Sequence, residues 1–169
     1  LIDLRGEQAR LAGSWYNALD LAAPLALIES LRDGGVQLEE IAVITPYRGQ
    51  LEQLRRSFLQ RRIALESSPE LAETEGGGLR RSSGVALGTV HRFQGGERSI
   101  VLFSSVVTHV TSLAFLNARP NLLNVAISRA QHHFVCLGHA AVLARGSRSR
   151  LLVDGVSTLS PSAYRPLLA

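Results

Sequence analysis

The chain has no lysine, no methionine and a single cysteine. Without lysine it cannot hold the phosphate loop Gly-x-x-x-x-Gly-Lys-Ser/Thr. One cysteine, Cys136, allows no intrachain disulfide and suits a reducing compartment, so a cytoplasmic setting is expected. Within His-Phe-Val-Cys-Leu-Gly it reads as a small core residue. No apolar run approaches 18 residues, so no transmembrane helix is expected and no membrane partner. Methionine is missing even at position 1, where the chain starts mid-pattern at Leu-Ile-Asp-Leu. It reads as a piece of a longer protein. The lysine-free, methionine-free composition points weakly to a GC-rich bacterial genome.

What is present bounds the class. The 169 residues suit one domain with a sizeable core. Hydrophobic residues make up 46% and charged residues 19%, a folded composition rather than a disordered one. All 18 basic residues are arginine, unevenly spread. Arg48 to Arg62 holds five of them with one acid, Glu52. Glu66, Glu70, Glu73 and Glu75 form an acidic block after it. Arginine clusters suit phosphate recognition, although a solvated charged face explains many of them.

Leu1 to Leu4 reads as a short strand. Leu21, Leu25, Ile28 and Leu31 recur at helical spacing, and Gly34-Gly35 ends that helix. Ile41-Ala-Val-Ile-Thr45 is a continuous apolar run, expected of a buried parallel strand. Pro46 stops it. Leu51, Leu54, Phe58 and Leu59 mark a second amphipathic helix. Residues 63–84 read as a long surface loop or a disordered one. Val85 to Thr89, Ile100 to Val107 and Phe134 to Leu137 read as strands, and Asn121 to Ala130 as a helix. The stretch after Gly146 is given little structure. Strands alternating with helices imply an α/β layered domain with a mostly parallel sheet. In such sheets ligands bind at the strand carboxyl ends. Thr45-Pro-Tyr-Arg48, Thr89-Val-His-Arg92 and the segment after Ser104 fall there.

Two local features have competing readings. Gln94-Gly-Gly-Glu97 lies between apolar runs, either as a hairpin turn or as a loop facing a ligand. Arg129 is the second. On a helical wheel at about 100° per residue it falls near 340°, between Val125 and Leu122, inside the apolar arc. It either serves the helix C-terminus or is aimed at an anion across a polar cleft.

Three stretches in order narrow the choice: Ile44-Thr-Pro-Tyr-Arg-Gly-Gln50, Gly88-Thr-Val-His-Arg-Phe-Gln-Gly-Gly-Glu97 and Leu123-Asn-Val-Ala-Ile-Ser-Arg-Ala130. Together they resemble the second RecA-like domain of superfamily 1 helicases, in the 5′-to-3′ branch of the nonsense-mediated-decay RNA helicase. Ser14-Trp-Tyr-Asn17 with Asp20 is similar to that family's Ser-x-x-Asn-x-x-Glu element. The resemblance covers residues 1–145, leaving 146–169 as a tail, and implies a three-layer RecA-like fold with helices on both faces of the sheet. It implies that Arg129 reaches the γ-phosphate of ATP held on a preceding domain. Gln94, Gly95, Glu97 and Asn17 would contact the nucleotide. Thr45, Pro46, Tyr47, Arg48, Thr89, His91 and Arg92 would meet the nucleic-acid backbone. Gln94 to Glu97 would then be a cleft-facing loop between two strands.

Blander readings stand beside these. Thr45-Pro46 can be an ordinary strand-to-helix turn, Gln50 a brace for that turn, and His91 and Arg92 solvated loop residues. His132 and His133, read at a helix end, look structural. No cluster has zinc-ligand spacing, and no metal site is expected within the chain. There are departures from the family too. Ala18 stands where an arginine contacts the nucleotide, His91 where the family often has Asp, and Gly96 where it has a basic residue.

ATP and Mg²⁺ would therefore be held mainly by an upstream RecA-like domain of the same protein, with single-stranded DNA or RNA as the track. The chain alone would not hydrolyse ATP. With three tyrosines and one tryptophan, extensive base stacking by this domain is not expected. The rivals are a non-catalytic nucleic-acid-binding module and an independent α/β enzyme. The second would need an acid cluster for a metal, and of the 14 acids only Glu97 sits in a motif.

Overall fold

Ile41–Thr45 has no polar alternation, and every one of its residues is buried. A strand that apolar must be covered on both faces, and the rest of the fold does this. The computed structural model describes residues 1–66, 83–93 and 96–157, with Arg92 and Pro120 described by their backbone alone.

The sheet has five strands: β1 (Ile2–Asp3), β4 (Ile41–Thr45), β5 (Ala86–Thr89), β6 (Arg98–Ser104) and β7 (Ala130–Gly138). Their spatial order is β1-β7-β6-β4-β5, and every pairing is parallel. Two short strands, β2 (Gln8–Leu11) and β3 (Ser14–Asn17), form a separate antiparallel hairpin. Side chains alternate across the sheet. Ile41, Val43, Ile100 and Leu102 face α1 (Leu19–Asp33) and α2 (Arg48–Gln60), with Ile28, Leu54 and Phe58 in the same cluster. Ala42, Ile44, Val101, Phe103 and Cys136 face the other side, with Leu113, Leu116, Leu122, Leu123 and Leu143. These come from α3 (Leu113–Asn117), α4 (Pro120–Ile127) and α5 (Ala140–Leu143). The result is a three-layer α/β domain of the RecA-like kind.

Several expectations hold locally. Helix α1 stops at Gly34-Gly35, where Gly35 takes φ +93° and the Val36 amide donates to the Leu31 carbonyl. Cys136 is 2% exposed. Burial pushes its thiol pKa up, so it is a neutral core residue. Strands β5 and β6 both pair with β4, in parallel, on opposite sides. No hairpin can join them, so the connection from Thr89 to Arg98 is a crossover.

Other readings are corrected. The helix read over 121–130 ends at Ile127, because Ala130 must already pair with Arg98 to start β7. The strand read over 100–107 ends at Ser104, where Val106 turns to φ +67°. His132 and His133 lie exposed on β7, not at a helix end. Leu59, read as part of the apolar stripe of α2, is 65% exposed. The flanks of the 63–84 segment are built into the fold. Ile63 is buried, Leu65 bridges Val85, and the Glu66 amide donates to the Val85 carbonyl at 2.9 Å. The remainder, 67–82, lies outside the described residues. Past Gly146, Ser149–Leu152 forms a 3-10 turn that buries Leu152 against the α3–α5 layer.

Candidate functional site

The parallel register sorts the expected site residues onto two opposite edges. Thr45 pairs with Thr89 at the carboxyl ends of β4 and β5. Arg98 pairs with Ala130 at the amino ends of β6 and β7. Thr45, Pro46, Tyr47, Arg48, Thr89 and His91 therefore gather on the carboxyl edge. Glu97 and the backbone of Arg129 lie at the amino edge, and the Arg129 guanidinium reaches from there to the Phe93 carbonyl at the end of the turn after β5.

On the carboxyl edge the residues differ in exposure. Thr45 is fully buried, and its Oγ1 accepts from the Tyr47 amide at 3.4 Å. Tyr47 is 6% exposed, with its ring 5.1 Å from that of Phe115. Burial raises its hydroxyl pKa to about 12. Both side chains thus shape the turn from within. Pro46 and Thr89 are half-buried, while Arg48 and His91 are exposed. Arg48, Leu51, Glu52, Arg55 and Thr89 line a groove of about 440 Å³. Glu52 is occupied by Arg56 at 3.1 Å. Among the described residues no carboxylate pairs with Arg48 or Arg55. This groove therefore presents two guanidiniums with no ion-pair partner among the described residues, and a hydroxyl, a surface suited to phosphate.

A buried polar chain braces this edge. The Gln50 Oε1 accepts from the Asn17 amide at 2.9 Å, and its Nε2 donates to Ser104 Oγ at 3.0 Å. Ser104 Oγ in turn donates to Asp20 Oδ2 at 3.3 Å. The same oxygen accepts from the Val106 amide at 2.8 Å. Gln50 is thus a brace joining the hairpin, α2 and β6. Asp20 is fully buried, and its other oxygen has no partner among the described residues. Burial raises its pKa to about 7, against the smaller opposing effect of the two hydrogen bonds. Asn17 is 1% exposed, and its Oδ1 accepts from the Leu19 amide, so the side chain is turned inward at the start of α1. The sequence offered a signal for this chain, since the four polar residues Asn17, Asp20, Gln50 and Ser104 each sit in or beside an apolar run.

The amino edge is more open. Arg129 follows the end of α4 in the turn before β7, and its carbonyl accepts from the Arg98 amide at 2.9 Å. Its guanidinium is half-buried. It donates to the Val125 carbonyl at 3.3 Å, to Ser128 Oγ at 3.1 Å and to the Phe93 carbonyl at 3.5 Å. All three acceptors are uncharged. Among the described residues no carboxylate comes within ion-pair distance. Glu97 is exposed, accepting from Gln131 Nε2 at 3.4 Å. The neighbouring Arg98 is different, since it pairs with Glu66 at 2.8 Å. Gln94 and Gly95 lie outside the described residues. So do the contacts of the Arg92 side chain. Among the described residues no group of three His, Cys, Asp or Glu could hold a metal ion. No helix among them is long and apolar enough to cross a membrane.

Comparison with known proteins bears on this arrangement. Residues 2–141 match the family model described as an AAA domain. The chain is 31% identical over 157 residues to a putative helicase, MOV-10, of Gallus gallus, covering 83% of this chain and 15% of the relative. It is 32% identical over 133 residues to the regulator of nonsense transcripts 1 of Caenorhabditis elegans, covering 78% and 11%. Helicase SEN1 of Saccharomyces cerevisiae is 29% identical, covering 97% and 7%. The chain spans between 7% and 15% of the length of these relatives. With the parallel five-stranded sheet and the ordered motifs, the chain belongs to the AAA domain family, as the C-terminal RecA-like domain of superfamily 1 helicases of the nonsense-mediated-decay branch.

Proposed function

We propose that this domain is the second half of an ATP-driven helicase motor. ATP and Mg²⁺ sit mainly on an upstream RecA-like domain. Arg129 supplies the positive charge that stabilises the phosphoryl group in transfer. Glu97, Gln94, Gly95 and Asn17 complete the nucleotide contact. Asn17 serves it indirectly, through the packing of α1 and the hairpin, because its side chain is buried. The carboxyl edge carries single-stranded DNA or RNA on Arg48, Thr89, His91 and Arg92. Thr45, Pro46 and Tyr47 shape the turn beneath. The lone buried Cys136 fits a reducing, cytoplasmic setting.

The observation that carries this reading is the guanidinium of Arg129. A half-buried cation whose described acceptors are all neutral is positioned to receive an anion from outside the domain. The polar chain through Gln50 and Asp20 links α1 to the end of β6. It offers a stiff connection through which movement of one layer reaches the strand-binding edge.

The test is ATP hydrolysis by the full-length protein, with and without single-stranded DNA or RNA, for the wild type and Arg129→Ala. Strand-stimulated turnover that falls by about 10³-fold or more in the variant, with strand binding retained, is the expected result. A variant that hydrolyses ATP like the wild type removes Arg129 from the mechanism. A wild type with no turnover on either strand, but with strand binding, makes the domain a binding module. The isolated chain, lacking lysine, is expected to show no turnover of its own.

A further inference from the structure

The end of β5 separates two grooves. One is the Arg48–Arg55 groove on the α2 side. The other lies on the α4 side and measures about 390 Å³, within the ~300–1,000 Å³ range of small-ligand sites. It is lined by Val90, His91, Arg119, Asn121, Leu122 and Val125. Its chemistry is distinctive. Val90 and Leu122 are 2% and 4% exposed and make an apolar floor. Arg119 is held by cation–π contact, with its Cζ 4.4 Å from the Phe115 ring centroid. Phe115 in turn lies against Tyr47, the residue that shapes the end of β4. One face of the guanidinium is thus stacked, while the residue also lines the groove. His91, from the turn after β5, supplies a planar ring, and Asn121 an exposed amide. Among the described residues no carboxylate lines this groove.

We propose that this groove takes a nucleobase of the bound single strand. The base lies flat against the Arg119 guanidinium, above the Val90–Leu122 floor, with its polar edge toward Asn121 and His91. A base has an apolar face, a polar edge and a phosphate attached to it. The groove matches each with a planar cation, an amide and surrounding positive charge. Arginine and histidine thereby do the stacking that the chain's few aromatic rings could not provide. Because Thr89 and His91 are two residues apart, one strand can lay phosphates along the Arg48–Arg55 groove and turn a base into this one. The proposal rests on the strand-binding reading above.

The test uses the 169-residue chain and two oligonucleotides with one backbone, an intact single strand and its abasic counterpart, in DNA and RNA form. Affinities are read by fluorescence anisotropy. The wild type is expected to prefer the intact strand by about 5- to 100-fold, the range of one stacked base. Arg119→Lys keeps the charge and loses the planar face. It is expected to bring that preference close to unity with the abasic affinity unchanged. His91→Ala, an exposed position, is expected to reduce it in part. Equal wild-type binding of both strands leaves strand binding in place and overturns the groove proposal alone. So does a preference that survives Arg119→Lys. If the wild type binds neither strand, the strand-binding reading fails and the base site fails with it.

Discussion

Asp20 is the residue whose surroundings most oppose its charge. Its carboxyl is buried with one oxygen unpartnered among the described residues, and its pKa rises to about 7 from an ordinary 3.8. The sign follows from linkage. Below about pH 4 both states carry the proton and there is no penalty. Between about pH 4 and 7 the unfolded chain has released it while the folded chain holds it, so stability falls as pH rises. Three units at 1.36 kcal/mol each make the full loss about 4 kcal/mol. Asp20→Asn has no proton to lose. The stability of the variant minus that of the wild type, from urea unfolding at several pH values, should rise between pH 4 and 7 and then level off. A difference that is flat with pH would mean that Asp20 is not the titrating group. The same carboxylate holds the Val106 amide at φ +67°, a conformation that strains a β-branched residue. Gln50 is the companion case. Gln50→Leu leaves the Asn17 amide without its acceptor and Ser104 without its donor. It should cost about 1–3 kcal/mol for each buried group left unpaired, measured as a shift in urea midpoint. Its place just after the Thr45-Pro46 turn suggested a brace, but which atoms it would join depended on a hairpin that the sequence did not announce.

At the scale of elements, that hairpin is the clearest omission. Strands β2 and β3 meet over Ala12-Gly13, with φ of 47° and 79°, a turn in which both central residues are left-handed. Such turns are usually spelt Asn-Gly or Asp-Gly, and alanine hides this one. Arg10 lies over Trp15 across the pair, with 4.4 Å from Cζ to the ring centroid. The hairpin in turn explains Gly49. A Cβ at that position would lie 3.0 Å from the Trp15 carbonyl oxygen and 3.1 Å from Ser14 backbone. Gly49→Ala raises helix propensity by about 1 kcal/mol. It should nevertheless lower the thermal midpoint, because the opposing atoms are backbone and cannot swing aside. A raised midpoint would show that the hairpin is free to shift. The buried strands were legible because their apolar runs are continuous, as in Ile41–Thr45. The end of α4 was not. Leu122 to Ala130 keeps an apolar period of 3.6, and only the pairing of Ala130 with Arg98 decides where helix gives way to strand.

For the whole molecule, the strand-end rule placed Thr45 to Arg48 and Thr89 to Arg92 on one edge, and the register puts the backbones of Glu97 and Arg129 at the other. A linear string cannot show this, since the residues between Thr89 and Arg98 connect the carboxyl end of one strand to the amino end of the next. On the proposed function, this division makes ATP turnover and strand binding separable. Arg129→Ala acts on the amino edge and should lower the ATP turnover rate of the full-length protein without moving the strand concentration for half-maximal stimulation. Arg48→Ala and Arg55→Ala act on the carboxyl edge. Each should raise that concentration, leave turnover at saturating strand nearly unchanged, and lower the slope of log affinity against log salt by about one. The two arginines share no hydrogen-bond or ion-pair partner among the described residues, and sites without shared partners act additively. The Arg129→Ala, Arg48→Ala double variant should therefore show both effects at their single-variant sizes. A turnover loss from Arg48→Ala that saturating strand does not restore would mean that this arginine also serves the transmission between edges.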